Sequence, residues 1–139
     1  RQLGATDTLE GGSDLAERVR DLTGGGVDFA VEATNGANLV AEACAALAKR
    51  GHCAMAGGAK PTAEIRLNHP DMLQNGKRLS GIMGGGGQTP AFLVALMHLQ
   101  AQGRFPLETL VRPYAFADVN QAIDDSDSGA VVKPILHMA

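Results

Sequence analysis

"VDFAVEATNGANLVAEACAALAKRGHCAMAGG", residues 27–58, decides how the chain is read. Val27, Phe29 and Val31 alternate with Asp28, Ala30 and Glu32, while Ala30 and Ala33 keep the second side largely apolar, which predicts a strand covered on both faces. Asn35-Gly36 is a turn pair, and the Ala-rich "ANLVAEACAALAK" after it predicts a helix able to lie close on a sheet. Gly51 closes that helix, "HCAMA" predicts a short buried strand, and Gly57-Gly58 releases the chain into a polar stretch. Strand, crossover helix and second strand form the unit from which parallel sheets are built.

The same alternation extends in both directions. Upstream, "TDTL" (6–9) predicts a short strand, and Ser13 is a candidate N-cap for a helix with Leu15, Val19 and Leu22 on one face, stopped by the glycines from Gly24. Downstream, "PDMLQN" (70–75) predicts a short helix opened by Pro70, and "KRLSGIM" (77–83) a strand running into the glycines Gly84 to Gly87. Pro90 opens a helix marked by Phe92, Ala95, Leu96 and Leu99 and ended by Gly103. The tail then reads as a strand in "LVRPYAF", a helix in "DVNQAIDDSDSG" begun by Asp118, and a strand in "AVVKPILHM". The expected fold is α/β: a partial Rossmann-like, doubly wound parallel sheet with helices on both faces, and a strand-helix-strand C-terminal tail.

The totals agree with a globular protein. At 139 residues the chain has the size of one compact domain, and its 45% apolar and 19% charged residues fall in the ordinary range. A net charge of -3, with Lys60, Arg66, Lys77 and Arg78 forming no continuous run, argues against a nucleic-acid surface. No apolar run approaches the ~20 residues that span a bilayer, and "RQLGATDTLE" has no signal-peptide apolar region, so a cytoplasmic protein is expected. Cys44 and Cys53 fall in a helical and a strand pattern, without redox or zinc-ribbon spacing, and read as small buried apolar residues. The 18 glycines against four Phe, one Tyr and no Trp favour tight turns and close helix-on-sheet packing.

A doubly wound sheet binds its ligand where loops leave the carboxyl ends of the strands. Those ends are Ala33-Thr34-Asn35-Gly36, Ala56-Gly57-Gly58-Ala59 and Ile82-Met83-Gly84-Gly85, each small enough for a flat ring or sugar to approach main-chain N–H and C=O groups. The dinucleotide fingerprint G-x-G-x-x-G, with an acid about 20 positions on, has no match; "GGGGQTP" lacks the third glycine at the required offset and reads as a bend. His52, His69, His98 and His137 show no metal-ligand spacing, and no G-x-S-x-G elbow surrounds a serine. Glu32, the one carboxylate in an apolar strand, is either a site residue with a raised pKa or a hydrogen-bonded structural group. "DDSDSG" reads as a solvated helix end. Lys133, alone in "AVVKPIL", either reaches water or meets an anion.

In serial order, "LGATDTL", "GGGVDFAVEATNG", "ALAKRGHCAMAGG", "GKRLSGIMGG" and "YAFADVNQAIDDSDSGAVVKPILHM" resemble the C-terminal part of the medium-chain, zinc-dependent alcohol dehydrogenases, in particular their aryl- and benzyl-alcohol branch. The resemblance covers essentially the whole chain. It implies that Ala33, Thr34, Ala56, Gly57, Ile82, Met83 and Gly84 line the nicotinamide half of an NAD site, and that Lys133 contacts the cofactor's pyrophosphate. It further implies a C-terminal portion of a dinucleotide-binding domain over about residues 1–110 and a tail returning toward a catalytic domain over about 111–139. The catalytic domain, the zinc ligands, the glycine fingerprint and the ribose-binding acid of that family have no counterpart here. The expectation is therefore a fragment, inactive alone, of an enzyme acting on alcohols and aldehydes, with NAD against NADP left open. No catalytic residue or metal ligand is assigned to this chain. Strand order 3-2-1-4-5-6 with two strands missing would leave "VDFAVEA" an unpaired edge, which predicts either a homo-oligomer formed through exposed sheet edges or a rearrangement of residues 1 to 12. A free-standing α/β binding or assembly module, and a zinc-free quinone reductase of the same superfamily, are the alternatives.

Overall fold

The computed structural model describes every residue except 2, 35, 85, 86, 88 and 139, so part of the predicted Asn35-Gly36 turn and the middle of the glycine run lie outside the described residues. The chain divides into two compact units, Arg1–Gly87 and Gln88–Ala139, where its length suggests one.

The first unit runs α1 (Leu15–Thr23), β1 (Val27–Glu32), α2 (Ala37–Ala45), β2 (Leu47–Met55), α3 (His69–Gln74) and β3 (Arg78–Gly81). Its three strands are parallel in the order β1-β2-β3, as the alternation predicts. Ala30, Cys53 and Leu79 stand in register across the sheet. Val40 and Cys44 of α2 close over them with Leu47 to form the buried core, against which Met72 of α3 also packs. α2 ends at Ala45 rather than continuing to Lys49, because Leu47 leaves the helix to pair with Val27. Leu47 is fully buried there. Burial of a leucine is worth about 1.5–3 kcal/mol, more than the few tenths of a kcal/mol that helix propensity offers the residues given up. The ladder then slips, from Val27 opposite Leu47 to Phe29 opposite His52, and Arg50 in the bulged segment donates its N–H to Asn75 O at 2.7 Å.

The opposite face of the sheet differs from expectation. Phe29 and Val31, register mates of His52 and Ala54, are 79% and 72% exposed, so within this unit β1 is covered on one face only. The two crossovers, β1 to β2 and β2 to β3, step across the sheet in the same direction, and right-handed connections taken that way place both on one side. "TDTL" forms no strand, because no strand among the described residues offers it a ladder partner. β1 is therefore the edge of this sheet. Ser13 does not cap α1 either: the residue before the helix is Asp14, which makes no cap bond and pairs instead with Arg18 at 3.6 Å. Asn68 does cap a helix: its Oδ1 accepts the Asp71 N–H at 3.0 Å at the start of α3, with Pro70 in the first turn.

A buried lysine closes the end of the sheet where the strands begin. Lys77 Nζ donates to Asp71 Oδ2 at 2.8 Å and to the Cys44 and Ala45 carbonyls at 3.1 and 3.2 Å. Those carbonyls belong to the last turn of α2, where helix geometry leaves acceptors without partners and the helix dipole favours a cation. Burial pushes the Asp71 carboxyl up, but the bonds from Lys77 and Asn75 outweigh it and hold the group below its ordinary value.

The second unit runs α4 (Thr89–Ala101), β4 (Val111–Ala115), α5 (Val119–Asp127) and β5 (Lys133–His137), with short 3-10 turns at Leu107–Thr109 and Phe116–Asp118. β4 and β5 pair in parallel from Val111 opposite Lys133 to Ala115 opposite His137, giving the expected strand-helix-strand tail. Asp118 precedes α5 without a side-chain cap bond. Within the acidic run, Asp125 is not simply solvated: Tyr114 Oη donates to its Oδ2 at 2.6 Å, fastening α5 to β4, and Gln121 Nε2 donates to its Oδ1 at 2.7 Å within α5.

Candidate functional site

Because β1, β2 and β3 run parallel, the chain leaves all three at the same edge, and the loops Ala33-Thr34, Ala56-Gly57 and Ile82-Gly84 gather there. A cavity of about 460 Å³ opens between the last two and is lined by Ala56, Gly57, Ile82, Met83 and Gly84. A second, of about 210 Å³, lies among Glu32, Thr34, Val40 and Gly57. Ala33 and Thr34 also border a hollow of about 340 Å³ along the free edge of β1. The expected nicotinamide-side residues other than Lys133 thus share one rim.

The rim is held by main chain and one carboxylate. Thr34 N–H donates to Glu32 Oε1 at 2.7 Å, and the Thr34 hydroxyl donates to the same oxygen. That hydroxyl also accepts the Gly36 N–H at 3.2 Å. The Glu32 carbonyl oxygen accepts from Ala56 N–H at 2.8 Å and Gly57 N–H at 3.0 Å, and Ile82 N–H donates to Met55 O at 2.9 Å. A Cβ on Gly57 would overlap the Thr34 carbonyl oxygen. Gly57 is thus required by its neighbouring loop, whereas the sequence suggests a ligand as the reason. Gly84 is different: its φ of +57° is left-handed, and none of the described residues lies within 4 Å of where its Cβ would stand. Met83 beside it is 93% exposed.

Glu32 is 6% exposed and takes the hydrogen-bonded role of the two open to it. His52 is half-buried, with Nε2 at 2.7 Å from Ser80 Oγ. Cys44 and Cys53 are free and buried, and burial together with the neighbouring Cys53 pushes the Cys44 thiol up to about 11. Lys133 lies in the other unit, exposed at the start of β5, with its N–H donating to Leu110 O at 3.0 Å. Among the described residues no group of three or more His, Cys, Asp and Glu side chains could hold a metal ion, and no helix is long and apolar enough to cross a membrane.

Residues 1–99 match the family described as zinc-binding dehydrogenase. The chain belongs to that family. It overlays the crystal structure of an alcohol dehydrogenase zinc-binding domain protein from Burkholderia ambifaria with a TM-score of 0.92 and 34% identity, over 99% of this chain and 38% of that one. It overlays benzyl alcohol dehydrogenase from Acinetobacter calcoaceticus with a TM-score of 0.86 and 34% identity, over 91% of this chain and 35% of that one. Geraniol dehydrogenase of Castellaniella defragrans is 26% identical over 137 residues, 97% of this chain and 37% of its own length. The chain therefore spans little more than a third of the length of these relatives.

The family implies a nicotinamide cofactor and zinc, and the residues present fit them unequally. The rim fits a flat ring, since an open cavity meets a stretch of backbone at Gly84 with no side chain of the described residues over it. Zinc has no donor set among the described residues. The backbone anchors at Glu32 are what sequence reading misses: a buried Glu at a strand end is visible, but its carbonyl taking two N–H groups from a separate loop is not.

Proposed function

We propose that this chain holds the nicotinamide half of NAD as part of an alcohol dehydrogenase acting on a primary, aromatic alcohol. The observation that carries the reading is the cavity at the carboxyl ends of adjacent parallel strands, lined mainly by small residues and bare backbone. Ala33, Thr34, Ala56, Gly57, Ile82, Met83 and Gly84 present the surface against which the ring lies, with main-chain N–H and C=O groups available to its carboxamide. Lys133, on the family likeness, offers its ammonium to the pyrophosphate. The cofactor accepts or returns the hydride, and the protein's part is to orient it. The likeness to benzyl alcohol dehydrogenase supports an aromatic substrate.

The chain by itself is proposed to be catalytically silent. Its two free, buried cysteines suit a reducing cytoplasm. We also propose that a second copy pairs with the edge strand β1, whose Val27, Phe29 and Val31 carry no lysine or proline to blunt that edge. Calorimetric titration with NADH and NADPH tests the cofactor: the reading predicts heat from at least one of the two, and the stronger response identifies the cofactor. No heat from either favours the binding or assembly module. Incubation with NAD and benzyl alcohol is predicted to give no NADH, and turnover would refute the claim of inactivity. Sedimentation showing only monomer would refute the pairing.

A further inference from the structure

We infer that Glu32 is the positioning residue of the rim: its buried carboxylate holds the loop after β1, its main-chain carbonyl meets the loop after β2, and the carboxylate acts on that second loop through Thr34; the cofactor reading above rests on both loops. Three observations converge on it. Its carboxylate takes both the N–H and the hydroxyl of Thr34, which pins the loop after β1. Its carbonyl oxygen takes the N–H groups of Ala56 and Gly57, which pins the loop after β2. The two loops then meet directly, because the Thr34 carbonyl oxygen fills the space a Gly57 side chain would occupy.

The carboxylate reaches further through Thr34, whose hydroxyl accepts the Gly36 N–H at 3.2 Å at the start of α2. The chain of bonds therefore runs from the first turn of a helix, through one threonine and one glutamate, to the glycine loop of the next strand. A hydrogen bond accepted by an ionised carboxylate is about twice as strong as one between neutral groups, which suits Glu32 rather than a neutral residue for this place. Moving the carboxylate would move Thr34, and moving Thr34 would free Gly57. Glu32 acts on any ligand of the rim through these two residues; no contact of its own with the ligand is required.

The test is amide hydrogen exchange on the chain itself, read residue by residue for wild type, Glu32→Gln and Thr34→Val. Glu32→Gln keeps the shape and removes the charge; Thr34→Val keeps the shape and removes the hydroxyl. The inference predicts at least about tenfold faster exchange at Thr34, Gly36 and Gly57 in Glu32→Gln, with Cys53 and Leu79 in the sheet unchanged, and in Thr34→Val faster exchange at Gly36 and Gly57. Faster exchange at Thr34 with Gly57 unchanged would overturn it, since Glu32 would then serve one turn only. Equal loss of protection at Cys53 and Leu79 would also overturn it, because Glu32 would be a general stabiliser of the sheet. NADH titration of the same samples is a separate readout. Wild type that binds no NADH counts against the cofactor reading, while the exchange pattern still decides the role of Glu32.

Discussion

The first unit buries two charged side chains, and they sit at opposite ends of its sheet. Lys77, 7% exposed, precedes β3 at the end where the strands begin; Glu32, 6% exposed, stands where β1 finishes. Lys77 meets an opposite charge and the last carbonyls of α2, so it closes that end with an ion pair and a helix cap in one group. Glu32 is held by N–H and O–H donors of the adjoining turn, and cavities open beside it. One buried charge locks helix to sheet; the other shapes a rim that stays open. Stability is concentrated at the first end and the proposed binding at the second.

This contrast breaks most visibly at Lys77. Lys77→Met removes the ion-pair partner of Asp71 and takes a donor from the Cys44 and Ala45 carbonyls, of which Ala45 O keeps Arg20 Nη1 at 3.3 Å. The expected loss is about 3 kcal/mol, the lower end for breaking a buried pair because Asp71 keeps some access to water. Urea unfolding checks it, and a loss under about 1 kcal/mol would remove Lys77 from the lock. At the other end, Gly57→Ala must push the Thr34 and Gly57 loops apart, at a cost of about 1–3 kcal/mol. Its exchange signature should be confined to the rim, whereas Lys77→Met should raise exchange at Cys44 and Leu47 as well.

Acid sharpens the same comparison. The folded Asp71 carboxyl lies below its ordinary value of 3.8, so its contribution to stability is complete above that pH and is lost as pH falls through the lowered folded value. Unfolding midpoints measured below about pH 4 should therefore drop more steeply in wild type than in Lys77→Met. Parallel curves would mean that the pair carries no linkage. A smaller effect is expected at Gly84, where the left-handed backbone tolerates Asn far better than Val. Gly84→Val should disturb the rim, and Gly84→Asn should leave stability within about 0.5 kcal/mol of wild type.

Much of this was legible in the chain, and the misses have physical reasons. The alternation in 27–58 gives both strands and the helix between them, since period and turn residues are local signals. "TDTL" has the local pattern of a strand and remains irregular, because a ladder needs a partner that pattern cannot supply. Phe29 and Val31 read as buried from their composition, yet burial depends on what lies over the sheet, and the helices of this unit lie under it. Of the rim, the small residues at the strand ends are visible as sequence. The reason for Gly57, a neighbouring carbonyl rather than a ligand, requires the fold. Lys77 gives no sequence signal at all: a single lysine before a strand looks like any solvated charge until Asp71 and the end of α2 are placed beside it.

The central claim is that the open end of this sheet is where nicotinamide lies. The most direct measurement is the footprint of NADH on the backbone amide resonances of the chain. The account predicts that shifts concentrate at Thr34, Gly57, Ile82, Met83 and Gly84, while Lys77 and its neighbours at the locked end stay still. Shifts confined to the locked end or to the exposed face around Phe29 would contradict it.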